Sequence, residues 1–301
     1  VYSSSQAHSS IAKAVQLAGF GNDNLRLIDE DPYTRAMLPG SLAAAIAEDL
    51  AAGRVPAGIV CSVGATGTTA MDPVEAIAAI AQEHDIWLHV DAAMAGSAML
   101  LPECRYLWQG VEQADSLAWN PHKWMGTILD TALFYVRDVD FLERVMSTNP
   151  AYLRSDADGQ VTQYRDWGIP LGRRFRALKL WFHLRLDGVE AIQQRLREDL
   201  ENAQWFRQQV ESAEGWEVLA PVALQTVCIR HIPFGDAGTE LSDEALDAHT
   251  LDWVGRINDS GAAFLSPSIL DDQWMVRVSI GVENAGREHV EALWALLQDA
   301  V

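Results

Sequence analysis

The stretch "AGIVCSVGATGTTAMDPVEAIAAIAQEHDIWLHVDAA", residues 57–93, decides the fold of this chain. It opens with a short apolar run that ends in small and hydroxylated residues, and it closes with a second apolar run, over 86–97, that leads into Asp91 and small residues. Between the two runs, residues 72–85 place apolar side chains at helical spacing after an early proline, which predicts a capped helix. Apolar strands separated by a helix are typical of a parallel sheet covered by helices.

The same alternation extends outward from this unit. Residues 1–10, "VYSSSQAHSS", begin as a strand that runs into its loop, and further strands are predicted over 114–124 and 131–138. Residues 173–213 keep a helical period over a long stretch with one break at Asp187–Gly188. We therefore predict an α/β fold with a mostly parallel sheet covered by helices.

The pattern changes after this long helical stretch. Strands are predicted within 216–233 and 273–283, and amphipathic helices over 243–261 and 286–301. These elements form a smaller α+β unit. The predicted organisation is a large domain over residues 1–190 and a small C-terminal domain over residues 191–301.

Composition excludes several classes of protein. The 301 residues carry 42 acidic and 22 basic side chains, and the net charge of −20 repels nucleic acid and anionic lipid. No apolar run reaches the length of a membrane span, and no signal peptide is recognisable. The three cysteines are scattered among apolar neighbours, so we expect buried reduced thiols and a cytoplasmic protein that handles small molecules.

Polar residues follow the predicted strands at the edge where ligands bind in an open parallel sheet. His8 follows the first strand and Thr66 the second, while Asp91 ends the third and Lys123 follows the fourth. Lys123 lies between an imidazole and an indole in "SLAWNPHKWMG", residues 116–126, which is a poor place for a solubilising charge. We expect these loops to surround one pocket.

Several chemistries do not match this pocket. The sequence contains no P-loop, nucleophile elbow or dinucleotide fingerprint, and His84 and His89 have no supporting ligands at metal spacing. A lysine that is desolvated or placed near a cation becomes nucleophilic and forms Schiff bases with carbonyls. With Asp91 in the same pocket, Lys123 fits a pyridoxal phosphate site. Taken singly, Lys123 is more simply read as a surface charge, and Asp91 is equally a helix cap, so the combination of residues carries the argument.

Three segments resemble the group II pyridoxal-phosphate-dependent amino acid decarboxylases, and the resemblance runs along almost the whole chain. "NPHKW" (120–124) is similar to the motif of the Schiff-base lysine, "HVDAAMAGSAMLLPECR" (89–105) to the segment of the pyridinium-binding aspartate, and "QAHSS" (6–10) to that of the ring-stacking histidine. The resemblance implies fold type I, the aspartate-aminotransferase-like fold. Trp124 and Asp130 favour the aromatic-L-amino-acid branch, whereas Met94 departs from the aromatic residue of the animal enzymes.

The resemblance implies three catalytic residues. Lys123 is expected to attach the cofactor covalently. Tyr152 falls where the family has its catalytic loop, and its phenol is the expected proton donor, with His8 as the alternative. Relatives with phenylalanine at the position of Tyr152 resemble oxidative aldehyde synthases, so the tyrosine favours simple decarboxylation.

The resemblance also implies the residues that hold pyridoxal 5'-phosphate, together with Lys123 and the stacking His8. Asp91 is expected to keep the pyridinium nitrogen protonated, and Ala93 to pack on the opposite face of the ring from the histidine. Thr66 is expected beside the ring, and Asn120 and His122 at the phosphate. No metal ion is expected.

The implied reaction converts an aromatic L-amino acid of the Dopa, 5-hydroxytryptophan, tryptophan or tyrosine type into its amine and carbon dioxide, in a homodimer with shared active sites. Three alternatives stay open: a decarboxylase for a non-aromatic amino acid, an aminotransferase on the same fold, and a non-catalytic truncated relative with a structural or regulatory role. Arg277, in "MVRVSIG", could reach a carboxylate or form a structural ion pair.

One part of the family pattern is not found. The Gly- and Ser-rich loop that cradles the cofactor phosphate is absent from this sequence, which begins at Val1 inside a predicted strand. We therefore expect the N-terminal portion of the large domain to be missing from this sequence. We also expect the chain alone to bind the cofactor weakly.

Overall fold

The computed structural model describes residues 1–148, 160–233 and 241–301. Its larger sheet has the strand order β2-β1-β3-β4-β5-β6. The strands are β1 (Tyr2–Ser4), β2 (Arg26–Ile28), β3 (Gly58–Ser62), β4 (Trp87–Asp91), β5 (Ser116–Trp119) and β6 (Leu133–Val136). The first five are parallel, and β6 pairs with β5 in the antiparallel direction. The predicted mostly parallel sheet is confirmed.

Three helices connect the first strands of this sheet: α1 (Ser10–Leu17), α2 (Pro39–Ala51) and α3 (Val74–Glu83). The helix α3 is the one predicted over 72–85, and Pro73 takes its N-cap position. Ile46 of α2 and Ile77 of α3 are completely buried in one core with Ile59 and Val90 of the central strands. This apolar packing is why strands that are apolar on both faces are stable here.

The connection from β4 to β5 consists of tight 3₁₀ turns, so the strand predicted over 86–97 ends at Asp91. Gly96 lies against the indole of Trp119, and a Cβ at this glycine would come within 2.3 Å of the indole Cδ1. Only glycine therefore allows the 3₁₀ segment to approach β5 so closely.

After β6 comes helix α4 (Val139–Met146), whose N-cap is Asp138. The Asp138 side chain accepts the N–H of Phe141.

The second sheet is antiparallel, in the order β7-β8-β10-β9. Its elements are β7 (Trp216–Val218), β8 (Thr226–His231), β9 (Ser266–Leu270), β10 (Gln273–Ser279), α7 (Asp243–Ser260) and α8 (Arg287–Ala300). The turn from β9 to β10 uses Asp271 and Asp272, both with positive φ (51° and 63°), as a two-residue hairpin requires. The smaller α+β unit is thus confirmed.

Two helices connect the sheets, α5 (Ala177–Leu186) and α6 (Val189–Ser212). The predicted break at Asp187–Gly188 is confirmed, and Gly188 has a φ of +80° there. Helix α6 is continuous through both cores: Leu196 packs in the core of the first sheet and Phe206 in the core of the second. The predicted boundary between residues 190 and 191 therefore falls at the start of a helix that both cores share.

Candidate active site

The loops that leave the parallel strands are joined to one another by hydrogen bonds. The Thr68 hydroxyl donates to Gln6 Oε1 (2.9 Å), which links the loop after β3 to the loop after β1. The N–H of Val63 donates to the carbonyl of Asp91 (2.9 Å), which links β3 to the end of β4. These strand ends form one continuous edge, and this is the edge where ligands bind in open α/β sheets.

Asp91, Ala93, Asn120 and Lys123 lie where β4 and β5 end. Asp91 Oδ1 accepts the N–H of Ala93 (3.0 Å), while the other carboxylate oxygen has no hydrogen-bond partner among the described residues. The Ala93 carbonyl in turn accepts the N–H of Asn120 (2.9 Å). Lys123 is exposed, and its Nζ makes no hydrogen bond to a described residue. A carboxylate oxygen and an amine are therefore available to a ligand at this edge.

Hydrogen bonds hold the segment over 122–131, which contains Lys123, near both of its ends. His122 Nδ1 lies 2.7 Å from the carbonyl oxygen of Thr131, which fixes the imidazole and leaves Nε2 as its other polar atom. Asp130 accepts a hydrogen bond from Arg176 Nε (2.9 Å), and this bond holds the pKa of the Asp130 carboxyl at about 2. Lys179 Nζ adds a bond to the carbonyl of Leu129 (3.0 Å).

A cleft of about 470 Å³ opens beside the loops after β1 and β3 and is closed on its other side by the β9–β10 hairpin. His8 and Thr66, both exposed, line it together with Gly67 and Arg277. The His8 Nδ1 lies 2.8 Å from the hydroxyl of Ser10, which orients the imidazole. The cleft thus combines residues from both sheets.

Arg277 contributes the cation of this cleft. Its Nε donates to the carbonyl of Gly67 (3.1 Å), and it forms no ion pair with a described residue. Burial lowers the pKa of Arg277, so the guanidinium sits in a site that disfavours an isolated charge. The structural ion pair considered from the sequence is not found among the described residues, and the remaining guanidinium donors suit a carboxylate.

Asp72 closes the base of the loop that carries Thr66. Its two carboxylate oxygens accept the N–H groups of Met37 and Ser62, each at 2.7 Å, and its own N–H donates to the Ser62 carbonyl (3.0 Å). Burial raises the pKa of Asp72 to about 6, although both backbone donors act in the opposite direction. Hydrogen bonds of the buried Asp72 therefore hold together the two ends of the loop over 63–71.

The structure places His8 and Thr66 in the cleft, and Asp91 with its neighbours along the adjoining strand ends. Lys123 and Asp91 do not belong to the lining of the cleft as the described residues form it. Tyr152 lies outside the described residues.

Sequence reasoning missed two acids at this edge. Glu30 lines the cleft and accepts the N–H and the side-chain amide of Gln6 (3.0 Å each), and Asp72 closes the Thr66 loop. Glu30 follows the short strand β2, which no pattern predicted. The available signal was its position after the short segment 25–28, in which three of the four residues are apolar.

Among the described residues, no three or more His, Cys, Asp and Glu side chains form a group that could hold a metal ion. None of the described helices combines the length and apolarity needed to cross a membrane. The three cysteines are buried and free, as predicted.

Comparison with known proteins agrees with this geometry. Residues 1–232 match the family model described as the pyridoxal-dependent decarboxylase conserved domain. The chain is 39% identical to tryptophan decarboxylase 2 of Oryza sativa subsp. japonica and 40% identical to phenylacetaldehyde synthase of Arabidopsis thaliana, in each case over 99% of its own length. It spans only 60% and 61% of these two proteins.

Solved structures give the same result. The crystal structure of Oryza sativa TDC with PLP and tryptamine superposes with a TM-score of 0.95 at 36% identity, and the chain covers 61% of it. Catharanthus roseus tryptophan decarboxylase in complex with L-tryptophan superposes with a TM-score of 0.90 at 35% identity and 62% coverage. In both cases 99% of this chain is matched. Strand order, strand-end residues and these matches together establish that the chain belongs to the pyridoxal-dependent decarboxylase family and has its type I fold.

Proposed function

We propose that this chain carries part of the active site of a decarboxylase that uses pyridoxal 5'-phosphate to convert an aromatic L-amino acid into its amine and carbon dioxide. The observation that carries the proposal is a set of groups at neighbouring strand ends that have no hydrogen-bond partner among the described residues: the amine of Lys123, one oxygen of Asp91 and the Nε2 of His8. Membership of the pyridoxal-dependent family supports this assignment.

The residues present fit the cofactor. Pyridoxal phosphate needs an amine for its aldehyde and a carboxylate for its ring nitrogen. Lys123 keeps its amine, and Asp91 one carboxylate oxygen, without a described hydrogen-bond partner. The small Ala93 at the end of β4 leaves room for a flat ring, and His8 is the proposed cover on its other face. For the phosphate, Asn120 and His122 are the proposed donors, the latter through an Nε2–H when its Nδ1 accepts the N–H of Thr131 (3.1 Å).

When bound, pyridoxal phosphate supplies an electron sink for the charge left on Cα after loss of carbon dioxide. Asp91 would hold the proton on the ring nitrogen through a charge-assisted hydrogen bond. Arg277 is the proposed anchor of the substrate carboxylate, because it offers guanidinium donors inside the cleft beside Thr66 and His8. Tyr152, or else His8, would deliver the proton to Cα after carbon dioxide has left.

The proposed substrate class rests on the relatives. Tryptophan and tyrosine decarboxylases are 38–39% identical to this chain over nearly its whole length. A second candidate is an aldehyde synthase, since the phenylacetaldehyde synthase of Arabidopsis thaliana is 40% identical. Tyr152 favours the amine product over the aldehyde.

We also propose a homodimer with shared active sites, in the cytoplasm. Helix α5 exposes about half or more of the side chains of Trp181, Phe182 and Leu186, an apolar surface of the kind that binds another protein surface. Three reduced cysteines suit a reducing compartment.

The chain offers a clean test because it contains only three lysines: Lys13, Lys123 and Lys179. The chain is incubated with pyridoxal 5'-phosphate at a high concentration, reduced with sodium borohydride, digested and analysed by mass spectrometry. We expect the pyridoxyl group on Lys123 well above Lys13, an exposed lysine on α1 that serves as internal control. Labelling of Lys123 at the level of Lys13 would overturn the cofactor assignment.

A second assay identifies the reaction. The chain with pyridoxal phosphate is given L-Dopa, 5-hydroxytryptophan, tryptophan, tyrosine, histidine or glutamate, and the products are separated. Aromatic amines are expected. An aldehyde would indicate the synthase, a keto acid the aminotransferase, and amines from histidine or glutamate alone a non-aromatic decarboxylase. Labelling of Lys123 without any product would favour a non-catalytic relative.

A further inference from the structure

Lys123 is exposed, whereas the two residues that follow it are buried. Trp124 has a relative exposure of 3%, and Met125 of 1%. The N–H of Lys123 donates to the Asn120 carbonyl (2.9 Å), and the Lys123 carbonyl accepts the N–H of Gly126 (3.0 Å). The backbone of Lys123 thus lies inside two overlapping turns, and any shift of Trp124 moves it.

Helix α6 holds this turn through side chains. Trp124 Nε1 donates to Asp199 Oδ2 (2.9 Å), and Arg195 donates to the carbonyls of Trp124 (3.1 Å) and Met125 (2.7 Å). His183 of α5 adds an Nε2 contact with the same Met125 carbonyl (3.0 Å). Three side chains from the helices that connect the two sheets therefore fix the indole and the peptide beside it.

The carboxylate of Asp199 is buried and accepts the indole N–H of Trp124. Asp199 is 2% exposed, and burial raises the pKa of its carboxyl, while the Trp124 hydrogen bond and the Arg195 charge act in the opposite direction. A buried carboxylate is tolerated only when donors compensate its desolvation, so the indole N–H is a required partner. The Arg195–Asp199 pair alone, at 3.5 Å, is a loose contact along one helix.

The second sheet closes over the other side of the indole. Gly281 follows β10, the strand that carries Arg277, and has a φ of +144°. A Cβ at Gly281 would lie 2.7 Å from Trp124 Cδ1 and 3.5 Å from Asp199 Oδ2. The backbone that follows the proposed carboxylate anchor therefore touches the indole next to the proposed attachment lysine.

We propose that Trp124, Asp199 and Gly281 are positioning residues that set the place of Lys123 and link it to the second sheet. The inference rests on the proposed function of Lys123. In this arrangement the strand that carries Arg277 and the turn that carries Lys123 share one buried contact, so the two ends of the site keep a fixed separation.

The test compares matched substitutions. Trp124→Phe removes the indole N–H donor and leaves a smaller aromatic ring. Asp199→Asn removes the charge of the acceptor and keeps its shape, and Gly281→Ala inserts a methyl group against the indole. The controls are Trp205→Phe, on the same helix α6 but against Arg287, and Gly255→Ala, where a Cβ meets no atom within 4 Å. For each variant we measure the borohydride-trapped pyridoxyl ratio of Lys123 to Lys13 against pyridoxal phosphate concentration and pH, and the urea midpoint of the protein without cofactor.

The expected result is that Trp124→Phe lowers the Lys123 labelling ratio by about tenfold, as the loss of a hydrogen bond to a charged group does. Asp199→Asn and Gly281→Ala should lower the ratio as well, and all three should shift its pH profile. The controls should change the ratio less than about twofold. An unchanged ratio in folded Trp124→Phe and Asp199→Asn would overturn the inference. So would a ratio that falls only in proportion to the urea midpoint with an unshifted pH profile, since that is a purely structural effect. Equal labelling of Lys123 and Lys13 in the unsubstituted chain would instead refute the proposed function.

Discussion

Asp72 lends itself to a test of how the Thr66 loop is held. The carboxyl is 4% exposed, and burial raises its pKa from 3.8 to about 6. A raised pKa means that the folded state binds this proton more tightly than the unfolded chain does. The protonated carboxyl therefore contributes its full stability below pH 3.8, and this contribution is lost as the pH rises through about 6.

The size of the effect follows from the shift. At 1.36 kcal/mol per pKa unit, the total loss is about 3 kcal/mol, of which about 1 kcal/mol falls between about pH 5 and about pH 7. Asp72→Asn cannot titrate, so the stability of the unsubstituted chain relative to this variant should fall by that amount over the same interval. The variant should also be less stable by about 1–3 kcal/mol, because its amide N–H₂ faces a backbone N–H.

The assay is urea unfolding of both proteins at several pH values, with Asp259→Asn as the control at an exposed acid. The difference in unfolding free energy between the unsubstituted chain and Asp72→Asn should decrease with rising pH, and the Asp259→Asn difference should stay flat. A difference that is constant from about pH 5 to about pH 7 would refute the reasoning that burial dominates at Asp72.

Three further predictions follow from the structure. Gly64→Ala should destabilise by about 2–4 kcal/mol, because its φ is +81° and the new Cβ would lie 2.4 Å from the Cβ of Ala95; Gly53→Ala, with φ +74° and open space, should cost only about 1 kcal/mol. Equal losses for the two in urea unfolding would contradict the packing argument. Burial lowers the pKa of His231 to about 4, so the free energy of unfolding should decrease as the pH falls from 6.5 towards 4. His231→Phe should reduce this loss of stability at acid pH. The same loss in His231→Phe would exclude His231 as its cause. Arg277→Lys should raise the KM for the amino acid about tenfold or more while Lys123 labelling stays unchanged, and a normal KM would remove Arg277 from the substrate site.

The central strands could be predicted because they have no exposed face: their residues are buried or half-buried. The runs around Val60, Val90 and Leu117 are apolar for that reason, and Pro73 marks the start of α3. The antiparallel direction of β6 could not be predicted, since the pattern of a short strand carries no sign of direction. Helix α2 and strand β2 were not predicted either, although Pro39 opens α2 as it opens many helices.

The candidate site divides in the same way. The positions of His8, Thr66 and Asp91 at or after strand ends could be predicted because the strands are recognisable and their ends gather at one edge of the sheet, whereas their roles at the cofactor stay predictions. Asp72 and Asp199 could not, because their roles depend on donors distant in sequence. The partner of Asp199 is the indole of Trp124, 75 residues earlier, and no local pattern indicates that pairing.

The course of α6 through both cores has a consequence for how this molecule unfolds. Leu196 and Phe206 lie on one uninterrupted helix, so melting of either core removes the turns on which the other depends. The two sheets should therefore lose structure together, as one cooperative transition in heat or denaturant, even though each has its own core. Cooperativity of this kind means that a destabilising substitution in the small sheet also lowers the population of molecules in which the Lys123 turn is formed.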